Sequence, residues 1–76
     1  MVLAFVLIVA EAGQEKSIAN SLSGVSEVED VDVIYGEYDI IIKINVLHIS
    51  NLGDFIMEKV RPIEGVKRTS TLIAVE

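Results

Sequence analysis

The sequence predicts an α+β fold whose elements follow one another in the order β-α-β-β-α-β. Three observations carry this prediction: an apolar run at residues 1–10, a strict apolar alternation over residues 38–47, and two short segments with apolar residues at helical spacing. Elements in this order form a four-stranded antiparallel sheet with two helices on one face, the ferredoxin-like arrangement. We predict that residues 1–76 form one such domain.

The first element is a strand that is apolar on both of its sides. Residues 1–10 are rich in β-branched side chains, lack an initial basic segment and fall short of the roughly 20 residues that span a membrane. Because the helices cover only one face of the sheet, the second apolar side is predicted to pack against another copy, which makes the protein an oligomer through its sheet.

The middle elements follow from spacing. Residues 13–23 place Ile18 and Leu22 one turn apart and predict a short amphipathic helix. Residues 27–35 predict a second strand and residues 38–47 a third. The two residues between these strands, Gly36 and Glu37, are predicted to form a hairpin turn.

The last helix and strand complete the pattern. Residues 48–51 supply residues that start helices, and the helical stripe after them stops before Pro62. The stripe consists of Leu52, Phe55, Ile56, Lys59 and Val60. Residues 66–75 alternate and predict the final strand.

Composition restricts the functional classes. The chain has 76 residues, no cysteine and one histidine, which excludes a disulfide framework and a thiolate or multi-histidine metal site, and we expect no cofactor. Its net charge of −6 argues against direct binding of nucleic acid, whose phosphate backbone is bound by positively charged surfaces. A hydrophobic content of 51% is high for so small a monomer, which again favours an obligate oligomer. Without an export signal, we expect a cytoplasmic protein with no membrane partner.

The segment Tyr35-Gly36-Glu37-Tyr38-Asp39 is the strongest candidate for a binding site. Gly36 can adopt the positive φ of a tight turn, and Asp39 places a carboxylate beside the amides that this turn exposes. Such a pair suits a zwitterion. The alternative is an ordinary hairpin turn followed by a solvated carboxylate.

Four segments of the chain carry a recognisable pattern: residues 4–8, 36–40, 55–59, and Gly65-Val66 followed by residues 69–71. In this order they resemble the C-terminal effector-binding domain, or RAM domain, of the Lrp/AsnC family of transcription regulators. The resemblance covers essentially the whole chain.

The resemblance implies specific partners. The family's regulators carry a helix-turn-helix domain before this module, whereas here Met1 opens the first strand, so we expect a stand-alone version that does not bind DNA directly. In the family, sheets pair into dimers, dimers assemble into rings, and small effectors, often amino acids, bind between dimers near the Gly-x-x-Asp loop. Association with full-length relatives is a further implied partnership.

The resemblance also implies roles for individual residues. Amides around Gly36 would hold an effector carboxylate, Asp39 would accept hydrogen bonds from its ammonium group, and Tyr38 would line the cleft. Thr69 and Thr71 would add hydroxyl groups, although both are also ordinary strand residues.

We therefore expect an amino-acid-sensing oligomer that acts in transcription regulation and is not an enzyme. Two alternatives remain open: a small enzyme of the dimeric α+β barrel kind, for which His48 with Asp39 is the only acid and base pair on offer, and a purely structural oligomerisation module. The carboxylates at residues 27–32 lack the spacing of a calcium loop and are interpreted as a solvated strand edge.

Overall fold

The computed structural model describes residues 1–75, and its elements follow the predicted order. The two helices are α1 and α2, and a π-helical turn continues α2 without a break. The bounds are β1 Val2–Ala10, α1 Glu15–Ser23, β2 Val28–Val33, β3 Ile40–Val46, α2 Ile49–Phe55, the π-helical turn Ile56–Val60, and β4 Val66–Ile73.

The four strands form one sheet in the order β2-β3-β1-β4, with every neighbouring pair antiparallel. The most apolar strand, β1, is therefore central. Ile8 of β1 faces Ile40 of β3 on one side and Thr69 of β4 on the other. The predicted ferredoxin-like architecture is confirmed.

Strict alternation in β1 and β3 builds the core. The even-numbered residues from Ala4 to Ala10 in β1 and from Ile40 to Val46 in β3 are buried under the helices, and the odd-numbered residues between them lie on the face that no helix covers. The helices contribute the rest of the core with Ile18 and Leu22 and with part of the second predicted stripe. Ile56 of that stripe is only partly buried, and Lys59 is exposed because its ammonium group pairs with Glu27. The buried side chains are Ala4, Val6, Ile8, Ala10, Ile18, Leu22, Ile40, Ile42, Ile44, Val46, Leu52, Phe55 and Val60.

The connection between β2 and β3 is wider than the two-residue turn predicted from Gly36 and Glu37. Strand β2 ends at Val33, and the Ile34 amide donates to the Asp39 carbonyl at 2.8 Å, which closes a loop of residues 35–38. Tyr35 is fully exposed and not part of a strand. The prediction of a two-residue turn was wrong, because the pairing of β2 with β3 stops at Val33, before Gly36.

A close contact between two connections joins the ends of the sheet to α1. The Glu11 amide donates to the Gly65 carbonyl at 2.7 Å. Gly65 has φ +98°, and a Cβ on it would lie 2.8 Å from the Cβ of Gln14. Only glycine satisfies both the backbone angle and this approach.

No helix within residues 1–75 has the length and apolar character needed to cross a membrane. The same residues contain no cluster of three or more histidine, aspartate or glutamate side chains arranged to hold a metal ion.

Candidate functional site

The loop that connects β2 to β3 is anchored to the end of β1 by Asp39. The Asp39 amide donates to the Ile8 carbonyl at 2.9 Å, and its carboxylate Oδ2 accepts from the Ala10 amide at 2.8 Å. The β1 and β3 ladder ends at the pair of Ile8 and Ile40, so the carboxylate takes the place of the next ladder carbonyl. Asp39 is half-buried, and its other oxygen makes no hydrogen bond to residues 1–75.

The same loop explains the glycine of the Gly-x-x-Asp motif. Gly36 has φ +132°, a backbone angle that residues with a Cβ rarely adopt, and the space around it is open. The predicted positive φ at Gly36 is therefore present. Its role in the structure is to turn the chain so that Asp39 can reach β1.

A cleft of about 380 Å³ opens between this loop and the start of α1. We call it the Asp39 cleft. Its walls combine two carboxylates, one ammonium group and an apolar side. The lining residues are Gly13, Glu15, Lys16, Val33, Ile34, Tyr35 and Asp39.

The charges of the Asp39 cleft come from different elements. Glu15 and Lys16 begin α1, and Glu15 Oε1 already accepts from the Gly13 amide at 3.1 Å. Lys16 is exposed and forms no ion pair within residues 1–75. The apolar side is open to solvent, because Val33 is 52% exposed and Tyr35 fully exposed. A cleft of this kind can hold both charged ends of a zwitterion and cover its apolar part.

The predicted site residues do not all meet within one chain. Gly36 and Tyr38 lie in the loop with Asp39 but do not line the Asp39 cleft. Thr69 and Thr71 lie on β4, and β1 separates them from β3. Thr69 pairs with Ile8, and Ile8 pairs with Ile40, the residue after Asp39. Thr69 therefore lies two strand spacings, about 10 Å, from the strand that Asp39 precedes. Thr69 instead lines a second cleft at the other edge of the sheet.

Sequence reasoning missed Glu15 and Lys16. The order of the elements could have indicated them, because in a β-α unit the first turn of the helix lies near the end of the preceding strand. That end of β1 is where Asp39 binds Ala10, close to the start of α1. A charged pair at the start of α1 was therefore a candidate for the same site.

The acid and base pair of the enzyme alternative is not assembled within one chain. Asp39 precedes β3 and His48 follows it, and a strand of seven residues is more than about 20 Å long. His48 is the N-cap residue just before α2, and its amide donates to Asn51 Oδ1 at 2.9 Å.

Two of the acidic residues at β2, Glu27 and Glu29, make ion pairs with lysines of other elements. Lys59 donates to both carboxylate oxygens of Glu27, at 2.9 and 3.0 Å, and this contact lowers the pKa of Glu27. Glu29 accepts from the Asn45 amide group at 2.6 Å and lies 3.8 Å from the Lys43 ammonium nitrogen. The acidic edge is tied to neighbouring elements by these contacts.

The fold and the sequence match known regulators. A family model described as the Lrp/AsnC ligand binding domain matches residues 3–76. The HTH-type transcriptional regulator FL11 of Pyrococcus furiosus is 35% identical over 75 residues, which are 99% of this chain and 49% of FL11. The chain spans about half the length of the curated relatives it matches.

Solved structures agree. The hypothetical protein PHS023 from Pyrococcus horikoshii superimposes with a TM-score of 0.92 at 41% identity, over 100% of this chain and 92% of that one. A feast or famine regulatory protein from M. tuberculosis, solved in complex with L-methionine, superimposes with a TM-score of 0.86 at 25% identity, over 100% of this chain and 51% of that one.

Proposed function

The chain belongs to the Lrp/AsnC ligand-binding domain family, and from this premise we propose that it is an effector-binding module that takes a free amino acid in the Asp39 cleft. The observation that carries the proposal is the composition of that cleft: carboxylate, ammonium and exposed apolar groups around one volume of about 380 Å³. This volume lies in the range of roughly 300–1,000 Å³ that small-molecule sites occupy.

The charges suggest an orientation for the ligand. The free carboxylate oxygen of Asp39 would accept from the α-ammonium group, and the Lys16 ammonium would donate to the α-carboxylate. The ligand side chain would then cover the exposed apolar residues Val33 and Tyr35. A ligand with only one of the two charges would leave Asp39 or Lys16 without a partner.

The remaining predicted residues take secondary roles in this proposal. Gly36 shapes the loop, and Tyr38 precedes Asp39 in the chain but does not line the cleft. Thr69 and Thr71 lie across β1 from the cleft, so they would reach the ligand only from a neighbouring copy. The L-methionine complex of the M. tuberculosis relative supports an amino acid as the ligand class.

We further propose that two copies associate through the face of the sheet that no helix covers, here called the open face. Most of its central residues are apolar and only half-buried: Leu3, Phe5, Leu7, Val9 and Ile41. The polar exceptions on β3 are Lys43 and Asn45, opposite Phe5 and Leu3. Leu72 of β4 extends the patch and is 53% exposed. Water contact with so many large apolar groups is unfavourable, and a second open face would remove it.

The size of the open face is sufficient for a dimer. Four strands about 4.8 Å apart and about eight residues long give a face of roughly 500 Å² per copy. Two copies would bury about 1,000 Å², the lower limit for a specific interface. Larger rings, and association with full-length regulators, would use other surfaces, and a ligand would act by favouring one assembly over another.

A thermal unfolding experiment tests the ligand proposal. The protein, held at one protomer concentration, is heated with each of the common amino acids, because a ligand of the folded state raises Tm. We expect a selective rise in wild type that is lost in Asp39→Asn and in Lys16→Gln. Asp54→Asn, which removes an exposed carboxylate from α2, is the matched control and should keep the rise.

Two outcomes would contradict the proposal. One is the absence of any rise with any amino acid in a folded, assembled sample, which would favour a purely structural role. The other is a rise that Asp39→Asn and Lys16→Gln leave unchanged, which would place the ligand elsewhere.

A further inference from the structure

A second cleft, of about 340 Å³, lies at the β4 edge of the sheet and is lined by positive side chains. We call it the basic cleft. Its lining residues are Arg61, Val66, Lys67, Arg68 and Thr69. Arg61 follows the π-helical turn directly, and the other four begin β4. The basic cleft shares no residue with the Asp39 cleft.

A β-bulge accounts for the convergence of adjacent cations. Val9 of β1 pairs with Arg68, but Ala10 pairs with Val66, so Lys67 is an extra residue in β4. In a regular strand, neighbouring side chains point to opposite faces, whereas a bulge interrupts this alternation and redirects a side chain. Lys67 and Arg68 consequently both line the basic cleft.

The charge of the basic cleft is opposite to that of the protein. The chain has a net charge of −6 and six lysine and arginine residues, of which Arg61, Lys67 and Arg68 line this one cleft. The ion pairs among residues 1–75 use Lys43 and Lys59 instead. Three exposed cations therefore share a small volume with no carboxylate partner from the described part of the chain.

We infer that the basic cleft binds a phosphate group, either as the free ion or as part of a small phosphorylated molecule. An arginine guanidinium group can donate two parallel hydrogen bonds to a phosphate. The basic cleft contains two guanidinium groups, those of Arg61 and Arg68. Lys67 adds a third positive charge, and the Thr69 hydroxyl can donate to another oxygen. A divalent anion offsets repulsion among three neighbouring cations better than a single carboxylate does.

This site would give the protein a second ligand, separate from the amino acid of the proposed function. Phosphate would fix Arg61, at the end of the α2 segment, against Lys67 and Arg68 of β4. The inference does not depend on the Asp39 cleft, and each site is tested by substitutions that do not touch the other.

Equilibrium dialysis with labelled inorganic phosphate tests the inference. Ionic strength is held at about 0.15 M with sodium chloride, so that general screening stays constant. We expect saturable binding by the wild-type protein, weakened about tenfold or more in Arg61→Gln and in Arg68→Gln, since each removes a charged hydrogen-bond donor. Lys43→Gln makes the same change in net charge on β3, outside both clefts, and should bind phosphate as the wild type does.

Competition distinguishes the chemistry of the ligand. Phosphoserine should displace labelled phosphate if the cleft accepts a phosphate on a small molecule, and serine should not. Displacement by acetate at the same concentration as phosphate would overturn the inference, because it would show a general anion site. Absence of saturable phosphate binding, or equal weakening in Lys43→Gln, would overturn it as well.

Discussion

Replacement of Asp39 by alanine should destabilise the fold itself, independently of any ligand. The Asp39 carboxylate accepts from the Ala10 amide at 2.8 Å, and Ala10 is only 8% exposed. In the variant this amide donor would lie near the protein interior without a partner. Loss of a partner for a buried amide costs about 1–3 kcal/mol. For a domain of this size each kcal/mol lowers Tm by roughly 4–8 °C.

Asparagine at position 39 separates the structural role from the proposed binding role. Its side-chain oxygen can still accept from the Ala10 amide, but as a neutral acceptor, so Asp39→Asn should cost less than Asp39→Ala, about 1 kcal/mol. Both variants lack the negative charge for a ligand ammonium group. Both should therefore lose the amino-acid-induced rise in Tm, and only the alanine variant should show the larger loss of basal stability.

The assay is urea unfolding at a fixed protomer concentration, since association alters apparent stability. Glu37→Ala is the matched control, because it removes an exposed carboxylate from the same loop and should change stability by less than about 0.5 kcal/mol. The reasoning is refuted if Asp39→Ala is as stable as Glu37→Ala, or if Asp39→Asn is destabilised as much as Asp39→Ala.

The remaining predictions concern the loops, the open face and pH. Gly65→Ala should cost more stability than Gly36→Ala, because both have positive φ but only Gly65 also lacks room for a Cβ; we expect roughly 1–3 kcal/mol for the strained φ at each site and an added steric penalty at Gly65, measured by urea unfolding. Leu7→Glu should dissociate the proposed dimer to the 8.3 kDa monomer in sedimentation experiments, since it places a charge between the uncharged neighbours Ile41 and Ser70 at the centre of the open face. Glu27→Gln should cost less than about 1 kcal/mol at pH 7, because its ion pair with Lys59 is partly exposed. The pKa of Glu27 is lowered by Lys59, so this contribution is present above the ordinary carboxyl pKa of 4.5 and is lost as pH falls below it; unfolding at pH 7 and pH 3 should show the difference between variant and wild type shrinking in acid.

Controls and contrary results differ among these three. Met57→Glu adds the same charge on a helix surface and should leave the sedimentation coefficient unchanged; equal dissociation by both variants would argue against the open face. Equal losses in the two glycine variants would show that Gln14 moves aside without cost. A difference for Glu27→Gln that grows in acid would contradict the assigned direction of its pKa.

The sequence by itself determined the order of the elements and the core. Alternation in residues 40–46 depends only on the period of an extended chain, and the spacing of Ile18 and Leu22 only on the helical turn, so both could be read locally. The bulge at Lys67 could not be predicted, because it reflects how β4 pairs with β1, about 58 residues earlier in the chain.

The candidate sites followed the same division. Gly36 and Asp39 were identified from a short motif, and the structure places both in one loop. Only the tertiary structure decided that Asp39 binds Ala10, that Lys16 lines its cleft, and that Thr69 faces another cleft. Periodicity assigns a residue to a face of its own element, whereas the neighbours of that face depend on strand order and register, which arise from contacts between distant segments.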